Sequence, residues 1–311
     1  MYKADPLDLH IPQTSDLLKW HLFELDDQAL IQTYIDRYRP LSCEYNFSNL
    51  FAWQTAYKMS WSLYQERLLI YDEISQFAFM PLGEDFSPEE LVILSLNLKS
   101  AGLTPNFCLL TAEYIKKFPE IENYYIVKEE RNHSEYIYSV DSLCDLNGTK
   151  LHKKKNLISQ FKRSYPDFEV HPLKGKYKHK ARKLAQILLS RRKKPSDTLD
   201  QEFYALKTSF DYFDQLGLDG LAITIGEKLV AFSIFSALNP STYDIQFEKS
   251  DTDYKGAAQV INHETAKFLK DKCQYLNREQ DLGIKGLRQA KMSYDPVELI
   301  TPYSLTFTPA N

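Results

Sequence analysis

Residues 277–296 bring Asn277, Arg278, Glu279, Asp281, Arg288, Lys291 and Tyr294 together where the flanking pattern predicts a strand end, a turn and a helix. Acids at such a place can hold an amine. Cations can neutralise an oxyanion or a phosphate, and a tyrosine can return a proton to a departing oxygen. A short buried strand at 273–276 sends Asn277, Arg278, Glu279 and Asp281 out at the C-terminal edge of a sheet, a usual ligand position in α/β folds. Gly283 and Gly286 allow the backbone to turn and pack closely there. There are blander readings of the same residues. Arg288 and Lys291, three apart on the predicted helix, can form a solvated face or pair with nearby acids. Tyr294, Asp295 and Pro296 can be a plain helix-ending turn before a strand at 297–300.

A second chemical candidate is the strand at 242–248. Strict alternation puts Tyr243, Ile245 and Phe247 on one face and Asp244, Gln246 and Glu248 on the other. If the polar face lines a cleft, Glu248 is the preferred base, acting directly or through water; a solvated strand face is the alternative. No metal site is expected. His263 and Glu264 lack a second histidine at zinc-ligand spacing, and Cys43, Cys108, Cys144 and Cys273 contain no Cys-x-x-Cys pair.

These residues need a scaffold, and the 311-residue length suits about two domains. In the first half a three-strand meander spans 59–81. A helix opens at Ser87, Pro88 and Glu90 with an N-cap, a first-turn proline and a capping-box acid, and runs to Gly102. A strand at 107–111, a short helix at 113–118 and a hairpin of 124–128 with 136–140 around Arg131, Asn132 and His133 follow. The second half repeats the order. A basic amphipathic helix starting near Lys178 and a second helix ending at Gly217 precede strands at 221–225, 229–237 and 243–249, then a helix at 257–269. The turns Glu66-Arg67-Leu68-Leu69 and Glu227-Lys228-Leu229-Val230 correspond. The division predicted is 1–148 and 149–311, with 149–176 as an ordered basic crossover.

The net charge of −4 conceals an asymmetry: 150–194 carries 16 Lys and Arg against Asp167 and Glu169, +14 locally, leaving −18 for the remainder. Such a block is either a solvated surface or a patch for a polyanion or an anionic membrane. No window approaches the roughly 18 apolar residues of a membrane span, and 1–13 lacks signal-peptide regions. The expectation is a cytoplasmic protein, with peripheral membrane attachment a further reading.

The run 277–296 resembles the C-terminal signature of the phosphatidylglycerol lysyltransferase C-terminal-domain-like family, whose members are built from two GNAT-type acyltransferase repeats. His152-Lys153-Lys154-Lys155-Asn156, residues 160–167 and residues 42–51 (Ser42, Cys43, Glu44, Tyr45, Asn46 and onward to Phe51) are also similar to that family, so the likeness covers nearly the whole chain. It departs at Gln280, where an acid is more usual. The resemblance implies an α+β fold of two tandem GNAT-like repeats, each a mixed, mostly antiparallel sheet flanked by helices, with a degenerate first repeat and the cleft in the second. It also implies roles for Glu279 and Asp281 in holding an amine, for Arg288 and Lys291 at an oxyanion or phosphate, and for Tyr294 as proton donor. Asn277 and Arg278 join them as substrate contacts.

Acetyl-CoA-dependent GNATs resemble one another in an Arg/Gln-x-x-Gly-x-Gly/Ala turn, aligned here with Asp253-Tyr254-Lys255-Gly256-Ala257-Ala258. Lys255, Gly256, Ala257 and Ala258 are thus the candidate cofactor contacts, while Asp253 places a carboxylate where a cation is wanted. Related Fem-type transferases take an aminoacyl group from aminoacyl-tRNA instead. Lys153, Lys154, Arg191 and Arg192 would then meet tRNA phosphates, or equally lipid headgroups. Full lysyltransferases of this type also carry a membrane-spanning portion that these residues do not include, so the likeness names no lipid. The leading expectation is aminoacyl transfer from aminoacyl-tRNA to an amine or hydroxyl of a lipid or peptide. The alternatives are an acyl-CoA-dependent N-acyltransferase and a non-catalytic anion-binding module.

Overall fold

The computed structural model describes residues 18–191 and 197–308. The first half contains α1 (Gln28–Tyr38), α2 (Phe47–Tyr57), β1 (Met59–Tyr64), β2 (Arg67–Asp72), β3 (Phe77–Phe79), α3 (Pro88–Ser100), β4 (Phe107–Leu110), α4 (Ala112–Lys117), β5 (Tyr125–Glu129), β6 (Glu135–Ser139) and α5 (Val140–Asp145). The second contains α6 (His152–Ser164), β7 (Phe168–Pro172), α7 (Lys176–Ser190), α8 (Asp197–Asp211), β8 (Asp219–Ile225), β9 (Lys228–Asn239), β10 (Thr242–Ser250), α9 (Ala257–Leu269), β11 (Tyr275–Gln280), α10 (Lys285–Met292), β12 (Glu298–Ile300) and β13 (Tyr303–Phe307). Local chemistry sets several of these ends. At α3 the Ser87 hydroxyl accepts from the Glu90 N–H, the Glu90 carboxylate accepts from the Ser87 N–H at 2.7 Å, and Pro88 takes the first helical position.

The two halves share one topology. An antiparallel meander, β1-β2-β3 or β8-β9-β10, is followed by a helix and then by a strand parallel to the last meander strand, β4 beside β3 and β11 beside β10. This is the tandem GNAT-like arrangement. The expected hairpin of 124–128 with 136–140 does not form. β5 pairs with β13, whereas β6 pairs with β11 and β12, so the strands flanking Arg131–His133 enter different sheets.

The sheet orders are β1-β2-β3-β4-β13-β5 and β12-β6-β11-β10-β9-β8-β7. Each half therefore lends its last strand to the other's sheet, in equivalent places, and the exchange crosses the division at 148/149. The crossover is ordered as α6 and β7.

One core joins α1, α2, α7 and α8 to a face of the second sheet through residues such as Ile31, Leu50, Leu206, Phe232 and Phe247. A second core fills its opposite face under α5, α6 and α9, through Phe161, Phe235, Ile245, Val260 and Leu276. A third lies within the first sheet and α3. Among the described residues no helix is long and apolar enough to cross a membrane.

Candidate active site

β10 and β11 pair in parallel only from Thr242/Tyr275 to Asp244/Asn277, after which both strands continue unpaired with each other. A gap opens between them in the middle of the sheet. Its walls differ because β10 is bulged. Asp244 opposes Ser236 and Phe247 opposes Ile234, three residues on β10 against two on β9. The extra residue resets the alternation, which overturns the expected shared face for Asp244, Gln246 and Glu248. Asp244, Gln246 and Phe247 face α2, Phe247 stacking on Trp53 with centroids 6.4 Å apart. Ile245 and Glu248 face α9, where the Glu248 carboxylate accepts from Asn262 at 3.2 Å.

The α2 side holds a buried polar cluster that both halves build. The Asn49 side-chain amide donates to Asp244 at 2.9 Å, to Glu279 at 3.3 Å and to the Cys43 carbonyl at 3.1 Å. Gln246 donates to Ser48 and Ser236, and Asn46 donates to Ser236. Glu135 accepts from Ser42, from the Cys43 N–H at 3.0 Å and from Asn277, so Asn277, fully buried, fixes the strand and holds Glu135. Asn277 also accepts the Glu279 N–H at 2.8 Å, supporting a left-handed Glu279 (φ 55°) that turns its side chain out of the ladder. Gln280 donates to Glu44 at 2.9 Å.

This cluster is rich in acids and poor in cations. Burial, then the charges of Glu279 and Glu135, holds the Asp244 carboxyl well above its ordinary range. Burial likewise pushes Glu279 up to about 8 against the pull of Lys291, with Glu44 and Glu135 adding to the rise. Glu44 is pushed up to about 7 by burial and by Glu135. Among the described residues, Asp244 Oδ1, Asn49 Oδ1 and Gln246 Oε1 are buried acceptors without a hydrogen-bond partner. Each orphan of this kind costs about 1–3 kcal/mol. A cationic N–H donor would meet these acceptors and the carboxylates together.

Cys43 Sγ and carboxylate oxygens of Asp244 and Glu279 also lie within 4.8 Å of one another, a spacing a metal ion could span. The donor set argues for an N–H ligand instead. The Asn49 amide already presents N–H to both carboxylates, as an arriving ammonium would.

Lys291 lies on neither a solvated face nor a free anion site. Its Nζ donates to the carbonyls of Arg278, Glu279 and Gln280, at 3.0 Å for Glu279, capping the irregular exit of β11. Burial lowers it to about 8, opposed by Glu279. Asp281 is fully buried and accepts from Arg288 through both oxygens at 2.8 and 2.9 Å, from Tyr136 and from Arg131 at 3.3 Å. Burial alone would raise its pKa, but the bonds from Arg288, Tyr136 and the Gly283 N–H hold it well below the usual carboxylate range. Its oxygens are therefore engaged in closing the turn, and Arg288 is engaged with them. Gly283 (φ 73°) makes that turn, whereas Gly286 lies inside α10 in ordinary helical geometry.

On the α9 side, Arg278 pairs with Glu248 at 3.0 Å and lies over the rings of Tyr138 (5.6 Å) and Tyr294 (5.0 Å). Tyr294 is buried, and burial pushes its hydroxyl far above its ordinary pKa, so it carries its proton at neutral pH. Lys154 of α6 also lies over that ring, its Nζ 4.1 Å from the centroid.

The aligned CoA turn packs against α6. Gly256 (φ 94°) is the N-cap of α9, and a Cβ there would lie 2.8 Å from the Leu157 carbonyl of α6. Gly256 and Ala257 are buried beneath α6, Ala258 is half-buried and Lys255 is exposed. Asp253 is answered by Arg191 at 3.2 Å, which also binds Asp251 at 2.8 Å.

The basic block is less positive than its composition suggests, because acids from elsewhere in the chain meet it. Lys162, Lys178, Lys180, Arg182 and Arg191 pair with Glu264, Asp214, Glu227, Asp211 and Asp251. Among the described residues Lys153, Lys154 and Lys155 make no ion pair, while Arg192 lies outside the described residues.

Sequence reasoning did not single out Cys43, Glu44, Asn49 or Glu135 for the site, and it named Asp244 and Gln246 only as members of a polar strand face. The available signal was the small polar residues at the start of α2, Asn46 as its N-cap and Ser48 and Asn49 in its first turn, beside the apolar Phe47, Leu50 and Phe51.

A family model described as "Phosphatidylglycerol lysyltransferase, C-terminal" matches residues 36–306. Among solved structures, a conserved protein of unknown function from Bacteroides thetaiotaomicron is 26% identical with a TM-score of 0.84, over 94% of this chain and all of that one. The C-terminal domain of a putative lysylphosphatidylglycerol synthetase from Agrobacterium fabrum is 11% identical with a TM-score of 0.62, over 89% of this chain and 92% of that one. FemX is 7% identical with a TM-score of 0.56, over 94% and 98%. No functionally curated protein matches the chain.

Proposed function

The chain belongs to the phosphatidylglycerol lysyltransferase C-terminal family, and from that premise we propose that it is an aminoacyltransferase whose donor is an aminoacyl-tRNA. Family and fold support a GNAT-like aminoacyltransferase; the donor is argued from the site. The observation that carries it is the acid cluster of Asp244, Glu279 and Glu44 with three orphaned acceptors beside the β10/β11 gap. That environment suits the ammonium of an aminoacyl group. A neutral acetyl group offers nothing to such a pocket, and the burial of Gly256 and Ala257 under α6 works against a CoA pyrophosphate at α9.

In this reading the ester lies in the gap, with its ammonium against Glu279, Asp244 and the Asn49 carbonyl oxygen. An acceptor amine or hydroxyl, of a lipid or a peptide, attacks the ester carbonyl carbon. The new bond forms as the carbonyl–ribose oxygen bond breaks. Glu248 takes the acceptor's proton, directly or through water, and Tyr294 gives a proton to the ribose oxygen. Asn277 and Lys291 position the strand, and Asp281 with Arg288 closes the turn beneath it.

Incubation with a pool of charged tRNA, followed by the remaining aminoacyl ester, tests the reading. Ester loss that requires Glu279 is the expected result. No loss with any charged tRNA would overturn it.

A further inference from the structure

Asn262 is a buried amide in the middle of α9, where packing alone favours an apolar side chain. Asparagine is a weak helix former, and a buried amide is costly unless both of its ends are bonded. One end is. Its Nδ2 donates to Glu248 Oε2 at 3.2 Å, while Arg278 Nη2 donates to Oε1 of the same carboxylate at 3.0 Å. At the other end, Asn262 Oδ1 is buried without a hydrogen-bond partner among the described residues. Because it belongs to the same amide as the Nδ2 that bonds Glu248, Oδ1 is a second acceptor beside the proposed base. Arg278 Nη1 is also a buried orphan, but its guanidinium lies over the Tyr138 and Tyr294 rings, whose negative faces answer a donor. An amide oxygen gains nothing from such a face. The same wall disfavours further positive charge: Lys154 Nζ lies over Tyr294 too, and burial, then Arg278, lowers its pKa. An amine arriving there as an ammonium meets the same penalty, so it binds neutral, with its lone pair free to attack.

We infer that Asn262 determines the acceptor: Glu248 and Asn262 Oδ1 together select an attacking atom that carries two hydrogens, a primary amine rather than a hydroxyl. This rests on the aminoacyl-transfer reading and narrows its acceptor. A neutral primary amine gives one hydrogen to Glu248 and the other to Asn262 Oδ1 while its lone pair faces the ester. Its nitrogen bonds to the ester carbonyl carbon as the bond from that carbon to the ribose oxygen breaks. The hydrogen facing Glu248 leaves as a proton, the one facing Asn262 remains as the N–H of the new amide, and Tyr294 protonates the ribose oxygen. A hydroxyl has one hydrogen to give. It leaves one of the two acceptors unmet, which costs about tenfold in rate.

The test follows aminoacyl transfer from a charged tRNA pool to glycinamide, sarcosinamide or glycerol, each rate divided by the rate without protein. Glycinamide carries two hydrogens on its amine nitrogen; sarcosinamide, its N-methyl analogue, carries one, and so does each glycerol oxygen. The wild type is expected to favour glycinamide about tenfold over the other two. Asn262→Leu should remove that preference, lowering transfer to glycinamide about tenfold and leaving the other two as they were. Thr265→Val is the control, because Thr265 lies one turn further along α9, is also buried and bonds Ser233 at 2.7 Å. It should keep the preference whatever it does to the melting temperature. Equal use of glycinamide and sarcosinamide, a preference for glycerol, or an Asn262→Leu loss that is the same for all three would overturn the assignment. If Asn262→Leu does not fold, the wild-type preference decides alone. Release of free amino acid with none of the three captured would assign the two hydrogens to a water and overturn it as well. In each of these cases Glu279-dependent ester loss persists and the aminoacyl-tRNA reading stands, whereas no ester loss at all overturns both.

Discussion

The Asn49 amide, on a helix of the first repeat, donates to the Asp244 carboxylate, on the bulged strand of the second, at 2.9 Å. The first repeat is therefore part of the candidate active site. Asn49→Ala removes the donor shared by Asp244 and Glu279. Aminoacyl transfer is expected to fall at least tenfold, about 1.4 kcal/mol of barrier, with the circular dichroism spectrum unchanged. Asn49→Asp, which adds a further acid, is expected to raise the pH needed for activity.

The buried acids fix a pH dependence. Glu279 is pushed above its ordinary value of 4.5 to about 8, so the folded, ligand-free protein favours the protonated form more than the unfolded chain does. Its stabilising effect is complete below the unfolded pKa and is lost as pH rises through about 8. Melting temperature should accordingly decline between pH 5 and pH 8, with Asp244 and Glu44 acting in the same direction. Glu279→Gln should flatten that decline; an unchanged slope would remove Glu279 from the account.

Asp281 behaves oppositely. Its depressed pKa contributes stability that is present above the ordinary carboxylate range and lost as pH falls through the folded value. Asp281→Ala leaves Tyr136 without its acceptor and Arg288 with Asn132 alone, and is expected to cost about 1–3 kcal/mol, the scale for orphaning buried hydrogen-bond groups, read as a lower urea midpoint. Arg288→Ala should lower the midpoint too. The double variant should fall short of the sum, because the two residues share one interaction.

At Gly256 packing is decisive. Gly256→Ala meets the Leu157 carbonyl at 2.8 Å in a left-handed backbone, so a loss of about 1–3 kcal/mol is expected from strain and overpacking. Calorimetry with acetyl-CoA on the wild type should show no binding. Saturable heat abolished by the substitution would instead restore the CoA reading.

Much of the fold is legible in the chain because each half obeys local rules. The capping box at Ser87 and Glu90, the meanders and the helix after β10 all follow from spacing and turn chemistry. The exchange of β6 and β13 is not, since no local rule chooses which sheet a five-residue strand joins. The β10 bulge hid the site. Period-2 reading puts Glu248 beside Asp244, and one extra residue separates them onto opposite walls. Charge counting failed for a related reason: Asp211, Asp214, Glu227 and Asp251 are remote from the basic block in sequence or beyond its end, yet meet it in space.

The central claim is that the acid cluster takes the ammonium of an aminoacyl group. It is tested most directly by titrating an amide-linked lysyl-adenosine into the protein at pH 7, by calorimetry in buffers of different ionisation enthalpy. Binding should release protons, because an arriving ammonium lowers the raised pKa values of Glu279 and Asp244. An analogue lacking the amines should bind more weakly by about 2 kcal/mol or more, the scale for truncating one partner of a buried charge pair. Equal binding of the two compounds, with no buffer-dependent heat, would contradict the claim.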